Sequence, residues 1–211
     1  MDIWSSHFGY YWVFYICLTR SDEQLAATEN ISSEGSKNYY GNLDSPVTLT
    51  EFVDFQCEAC YAYYPHVKEI KEKYKDRVKF QIKNMPISSS HKSAAQAAYS
   101  AEAAARQDKF FEMHNKLFEE QKTWEQAKDP TSLFEKYAQA IGLNMEKFKS
   151  DVKSAEVEAV IKKDLADATA LKASGTPTFV LNGQMIENPG PSVEALSKVL
   201  DDALASSNTQ Q

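Results

Sequence analysis

The spacing of apolar residues changes period along the chain, and each change marks an element. Val47 to Phe55, VTLTEFVDF, is rich in β-branched and aromatic residues and predicts a strand. Between residues 59 and 75, Tyr63, Val67, Ile70 and Tyr74 recur at helical spacing, with Pro65 inside the helix where it should kink it. Arg77 to Met85, RVKFQIKNM, predicts a second strand, ended by Pro86. Together these form a β-α-β unit, the building block of a parallel strand pair.

Residues 91 to 173 carry helical spacing almost throughout. Ser93 to Ala105 is alanine-rich, which suits close helix packing. Lys109 to Gln121 places Phe110, Phe111, His114, Leu117 and Phe118 on a helix. Asp129-Pro130 reads as a helix start, with Asp as N-cap and Pro at the first helical position, and the helix runs to about Ile141 before Gly142. A short helix from Asn144 to about Val152 and a longer one from Glu156 to Lys172 follow. Then the period shortens. Thr178 to Leu181 predicts a strand, Asn182-Gly183 a hairpin turn, Gln184 to Ile186 the returning edge strand, and Ser192 the cap of a last helix to about Ala205.

The front of the chain differs. Phe8 to Leu18 is an apolar and aromatic run broken only by Gly9. As a helix its eleven residues would span about 16 Å, short of the ~30 Å hydrocarbon core. Asp2 and the lack of Lys or Arg before it are atypical of an export signal. Residues 1–20 are therefore expected to be an atypical signal or anchor segment, with a simple extension as the alternative and Cys17 a bystander. Residues 21–38 are polar and expected to form a tether.

Composition narrows the function. The 211 residues, 43% hydrophobic and 25% charged, suit one sizeable globular domain beyond the tether. A net charge of -7 without a basic patch argues against nucleic-acid binding. The densest basic stretch, Lys68 to Lys79, is interleaved with Glu69, Glu72 and Asp76 and reads as a solvated helix face. Three cysteines, with Cys57 and Cys60 close together, make neither a disulfide framework nor a closed zinc site. His7, His66, His91 and His114 show no metal-ligand spacing, and no metal or organic cofactor is expected.

The pair Cys57–Cys60 lies where the first strand passes into its helix. Unpaired N–H groups and the helix dipole stabilise a thiolate there, and the second thiol is one turn on, close enough to resolve a mixed disulfide. Cys57 is thus the attacking thiol and Cys60 the resolving one. The second feature is Gly175-Thr176-Pro177-Thr178, leading into Phe179-Val180-Leu181. A proline at the mouth of a strand gives up a ladder hydrogen bond. Taken alone it favours a trans bond, since cis is only ~5–6% of X–Pro bonds.

The segments TEFVDFQCEACYAYYP, NMPISSSHKSAAQAAYSAEAAARQDKFFEMHNKLF and SGTPTFVLNGQ, in that order and spacing, resemble the DsbA-like thioredoxin family over about residues 39 to 204. The resemblance implies an α/β thioredoxin-like fold. Its core would comprise residues 39–86 and 175–211, and residues 87–174 would be a helical insertion. It implies that Cys57 forms mixed disulfides, that Pro177 is cis, and that Thr176 and Pro177 bind substrate. It also implies work outside the cytoplasm, by export or membrane anchoring, on unfolded or reduced exported proteins, with a membrane quinone-linked protein as reoxidant. Glu58 and Ala59 depart from the Pro or aromatic residue often found between the family's cysteines. Glu58 beside Cys57 disfavours the thiolate, while a carboxylate in the first turn meets the helix dipole favourably.

A family carboxylate matches Glu51, six residues before Cys57. It is expected either to relay the Cys60 proton or to be a surface-end acid paired with a nearby lysine. Asp54 reads as a capping acid, Tyr63 as core, Tyr61 and Tyr64 as rim or core, and His91 and His114 as structural. The expected function is oxidation of dithiols in exported proteins. The alternatives are a reductase or isomerase using the same pair, and a zinc- or peptide-binding module that uses the cleft without chemistry.

Overall fold

The computed structural model describes residues 35–208. The expectations for Phe8–Leu18, Cys17 and the tether up to residue 34 lie outside the described residues. Five strands, β1 (Asn38–Gly41), β2 (Thr48–Val53), β3 (Lys79–Asn84), β4 (Thr178–Leu181) and β5 (Gln184–Met185), form one sheet in the order β1-β3-β2-β4-β5. The described helices are α1 (Glu58–Tyr74), α2 (Ala94–Ala105), α3 (Phe110–Glu119), α4 (Gln121–Trp124), α5 (Thr131–Ala140), α6 (Met145–Asp151), α7 (Ala155–Ala170) and α8 (Val193–Asn208).

β2 is central. It runs parallel to β3, with Glu51 opposite Ile82, and antiparallel to β4, with Glu51 opposite Phe179. Alternation along β2 puts Leu49, Glu51 and Val53 on one face and Phe52 on the other. The first face packs against α1 and α8, where Leu49, Tyr63, Val67, Ile70, Phe179 and Leu200 share a cluster. Each such side chain, fully buried, stabilises the fold by about 1.5–3 kcal/mol. The second face packs Phe52 and Val180 against Ala168 of α7. α1 runs without interruption through Pro65. The hairpin turn at Asn182-Gly183 has positive φ at both residues, 50° and 82°, as a type I′ turn requires.

The helical block stands over the end of the sheet that carries the cysteines. Phe110, Met113, Leu117, Trp124, Phe134 and Phe148 form one cluster with Val53, Phe55 and Cys60. In α2 the alanines 94, 97, 98, 101, 103 and 104 are all buried, and their small side chains let α3, α5, α6 and α7 close in around it. The helix expected over 109–121 is split: α3 ends at Glu119, Glu120 leaves the helical region, and α4 begins at Gln121. The helix expected to start at Pro130 starts at Thr131. Its N-cap is therefore Pro130 and not Asp129, whose Oδ1 accepts from the Thr131 N–H at 3.0 Å from one position further out. Asn144, Ser154 and Ser192 cap α6, α7 and α8 through bonds from the N–H groups of Lys147, Val157 and Ala195.

Two expectations are corrected. The polar tether does not reach residue 38, because Ser36 is buried and Asn38 opens β1, antiparallel to β3. Polar residues can be buried there because each finds a partner. The Ser36 N–H donates to Asp164 Oδ1 at 2.9 Å, its hydroxyl bonds Glu102 at 2.6 Å and also Asp164, and Asn38 Nδ2 donates to Glu102 at 2.7 Å. Lys83 Nζ donates to Asp164 at 3.1 Å and Asp167 at 2.9 Å. Although burial works against it, the two carboxylates hold the Lys83 ammonium above its usual pKa. Gly35 is needed at this point: a Cβ there would come within 2.3 Å of Asp164 Oδ1 and 2.6 Å of Lys83 Nζ. The second correction concerns the solvated face of α1, from which Lys71 is buried.

Candidate active site

The loop after β2 is built by Asp54. Its Oδ1 accepts from the Gln56 N–H at 2.8 Å, and its carbonyl accepts from the Cys57 N–H at 3.1 Å. Its Oδ2 binds the Ile87 N–H and His91 Nδ1, both at 2.8 Å. One buried acid thus ties the cysteine loop to the segment after β3 from the end of the strand, and it does not cap α1, which has no side-chain cap bond. From the other side, Gln121 Nε2 donates to the carbonyls of Phe55 at 2.8 Å and Cys57 at 3.3 Å.

Cys57 occupies the N-cap of α1 with extended backbone, φ -72° and ψ 127°. It is half-buried, Cys60 is buried, and both are free thiols. The Thr176–Pro177 bond is cis. The Cys57 Sγ–H donates to the Thr176 carbonyl at 3.3 Å, so the strand mouth and the helix start meet at this sulfur.

The electrostatics separate the two thiols. A hydrogen bond from Cys60 lowers the Cys57 pKa from 9.0 to about 5 against the cost of burial, helped by the Thr176 hydroxyl and the N–H groups of Cys60 and Ala59. Cys60 is pushed well above 9.0 by burial, by Cys57 and by Glu51.

Glu51 is buried on the α1-facing side of β2, so it is not a surface-end acid. Burial raises its pKa to about 8, and only Lys71 opposes this. Lys71 is itself lowered to about 8 by burial, offset by Glu51. Its Nζ lies 4.0 Å from the centroid of the Phe111 ring and 5.2 Å from that of Tyr40, where the ring faces help to hold a buried cation. Lys71 and Gln121 were not singled out in the sequence. Lys71 did carry a signal, since it lies four residues after Val67 and next to Ile70, on the inward side of the helix. Gln121 carried none.

Tyr63 is core: its hydroxyl accepts from the Gly190 N–H at 3.1 Å and its ring meets Phe179. Tyr61 is exposed, and Tyr64 stacks on Phe118 at 5.1 Å. His114 is buried among the rings of Phe55, Phe110, Phe111 and Phe118, and burial lowers its pKa to about 3. Among the described residues no three His, Cys, Asp or Glu side chains could hold a metal together, and no helix is long and apolar enough to cross a membrane.

A β-α-β unit, a helical block and a returning hairpin that brings a cis proline against an N-cap cysteine define the thioredoxin-fold class. The family model described as thioredoxin matches residues 33–202, and the chain belongs to that family. The chain is 30% identical over 169 residues to the probable disulfide bond formation protein D of Bacillus anthracis, covering 78% of this chain and 76% of that one. Oxidised BdbD from Bacillus subtilis superposes with a TM-score of 0.68 at 26% identity, covering 83% of this chain and 98% of that one. α-DsbA2 from Wolbachia pipientis shares the fold with a TM-score of 0.70 at 20% identity, covering 86% and 98%. The chain is also 34% identical over 166 residues to the Na(+)/H(+) antiporter NhaA 3 of Salinispora tropica. That match takes in 79% of this chain but only 24% of the antiporter, so the chain spans about a quarter of such relatives.

Proposed function

We propose that the chain introduces disulfides into exported proteins through the Cys57–Cys60 pair. The observation that carries this reading is the split between the thiols: Cys57 acidified to about 5, Cys60 pushed well above 9.0. A stabilised Cys57 thiolate favours the reduced enzyme, and a disulfide whose reduced form is favoured is an oxidant.

A substrate thiolate attacks the Cys57 sulfur of the Cys57–Cys60 disulfide. The S–S bond breaks, a substrate–Cys57 bond forms, and Cys60 leaves as a thiolate that takes up a proton. A second substrate thiolate then attacks the substrate sulfur of the mixed disulfide, and Cys57 leaves as the stabilised thiolate. Two electrons pass from the substrate dithiol to the enzyme. Glu51, held neutral below pH 8 by burial, is the proton donor to Cys60. Thr176 and Pro177 border the substrate beside the sulfur, and a membrane quinone-linked protein takes the electrons on.

The test is the equilibrium reduction potential of the pair against glutathione. A value well above the cytosolic glutathione poise of about -220 to -260 mV is expected. A value near the thioredoxin level of about -270 mV would instead favour reductase or isomerase action by the same residues.

A further inference from the structure

Cys57 lies in the wall of a cleft of about 520 Å³, bordered by Gln56, Glu58, His91, Glu125 and Gln126. Among the described residues, no aliphatic chain longer than Ala59 and no Lys or Arg lines it. Its walls are held in place. Asp54 fixes His91, and Gln121 and the fully buried Trp124 seat α4, so that Glu125, the next residue, projects from a fixed base. Glu125 meets Lys122 at 3.2 Å, while Glu58 is exposed at the first turn of α1. Lys122 is about half exposed and stands outside the lining, so the cleft itself presents two carboxylates and two amides to whatever reaches the sulfur.

We propose that this cleft selects substrates with Lys or Arg beside the reacting cysteine and disfavours those with Asp or Glu there. The proposal rests on the exchange reaction above and specifies its substrates. A segment bound through its cysteine to Cys57 must lay its neighbouring residues along the cleft. A cation there meets opposite charge, and an anion meets like charge. Such complementarity acts mainly on rate and specificity, and it is screened by salt.

The test uses the oxidised full chain and peptide dithiols that differ only in Lys, Ser or Glu beside the first cysteine. Each rate is divided by that of the same peptide with a small neutral disulfide, which removes differences in peptide thiol acidity. At low ionic strength the Lys peptide should react about tenfold faster than the Glu peptide, and the ratio should fall to about twofold at high salt. The same collapse should occur at low salt in Glu58→Gln/Glu125→Gln, and in part in Glu58→Gln alone. Asp201→Lys serves as a distal control. It lies one turn beyond Ser197, which binds the C-terminal end of α1, opposite to Cys57, and it should keep the ratio. A ratio near one in the parent, or one unchanged in both Gln variants, would overturn the proposal. So would an equal collapse in Asp201→Lys, because overall charge would then be selecting. Failure to exchange with any peptide or with dithiothreitol would instead sink the exchange reading itself.

Discussion

Cys57 and Thr176 are 119 residues apart in the chain, and the cysteine sulfur lies 3.3 Å from the threonine carbonyl oxygen. The contact serves both states of the sulfur. As a thiol, Cys57 donates to the carbonyl. As a thiolate, it gains from the Thr176 hydroxyl, which is buried and bonds no other group among the described residues. An acceptor and a donor from one residue thus flank the group that changes charge during turnover.

Alkylation of the reduced protein by iodoacetamide should rise with an apparent pKa of about 5. Cys60→Ala, which removes the largest cause of the depression, should move that midpoint up by about one unit or more. The depressed acid contributes stability fully above 9.0, and the contribution is lost as pH falls through about 5. The reduced form should therefore gain on the oxidised form from pH 5 to pH 9 in urea titrations. Above pH 9 the raised Cys60 begins to act in the opposite sense.

Glu51 has the opposite sign. Its raised pKa means that the fold loses stability as pH rises from 4.5 to about 8. Glu51→Gln should thus be more stable than the parent at pH 8, by about 1–3 kcal/mol, and little different at pH 4. If Glu51 supplies the Cys60 proton, the variant should also lose an inflection near pH 8 in its exchange rate. An unchanged rate profile across pH would remove Glu51 from the mechanism.

Lys83→Met should cost about 3–5 kcal/mol, read as a lowered urea midpoint, because Asp164 and Asp167 would stay buried without their countercharge. The Cys57 alkylation midpoint should not move, which separates a structural charge from a redox one.

His114 is neutral in the fold down to about pH 3, whereas the unfolded chain takes up its proton near 6.5. The parent should therefore lose up to about 1.4 kcal/mol per pH unit between those values relative to His114→Phe. Denaturant titrations at pH 7 and pH 4 would show the gap between the two proteins widen on acidification.

Much of this was legible because local signals and burial agreed. The β2-α1-β3 unit, the Asn182-Gly183 turn and the Ser192 cap lie where residue type and spacing place them. β1 was not legible. It has four residues on a sheet edge, and its start at Asn38, like Ser36 before it, is buried only because Glu102 and Asp164, at least 64 residues away in the chain, supply partners. Lys83 had the same obscurity: alternation along β3 puts it opposite Ile82, the face that water would cover if α7 did not. The cysteine pair and Pro177 could be picked out, and the acidity of Cys57 rests first on Cys60, three residues on, but no local pattern carries the part that Thr176 adds.

The clasp around Ser36 has a mechanical consequence. A pull on the chain from upstream of Gly35 meets Ser36 first and is handed at once to Asp164 on α7 and, through Asn84 and Gln81, to β3. From there the load crosses the ladder into β2, the strand that ends at the cysteine loop, with its bonds strained in shear. A pull from the other end meets α8, which is held to the sheet by Leu196 and Leu200 and to α1 by Ser197, and not through the ladder. A load on the leading end is therefore borne by the sheet that carries the sulfur.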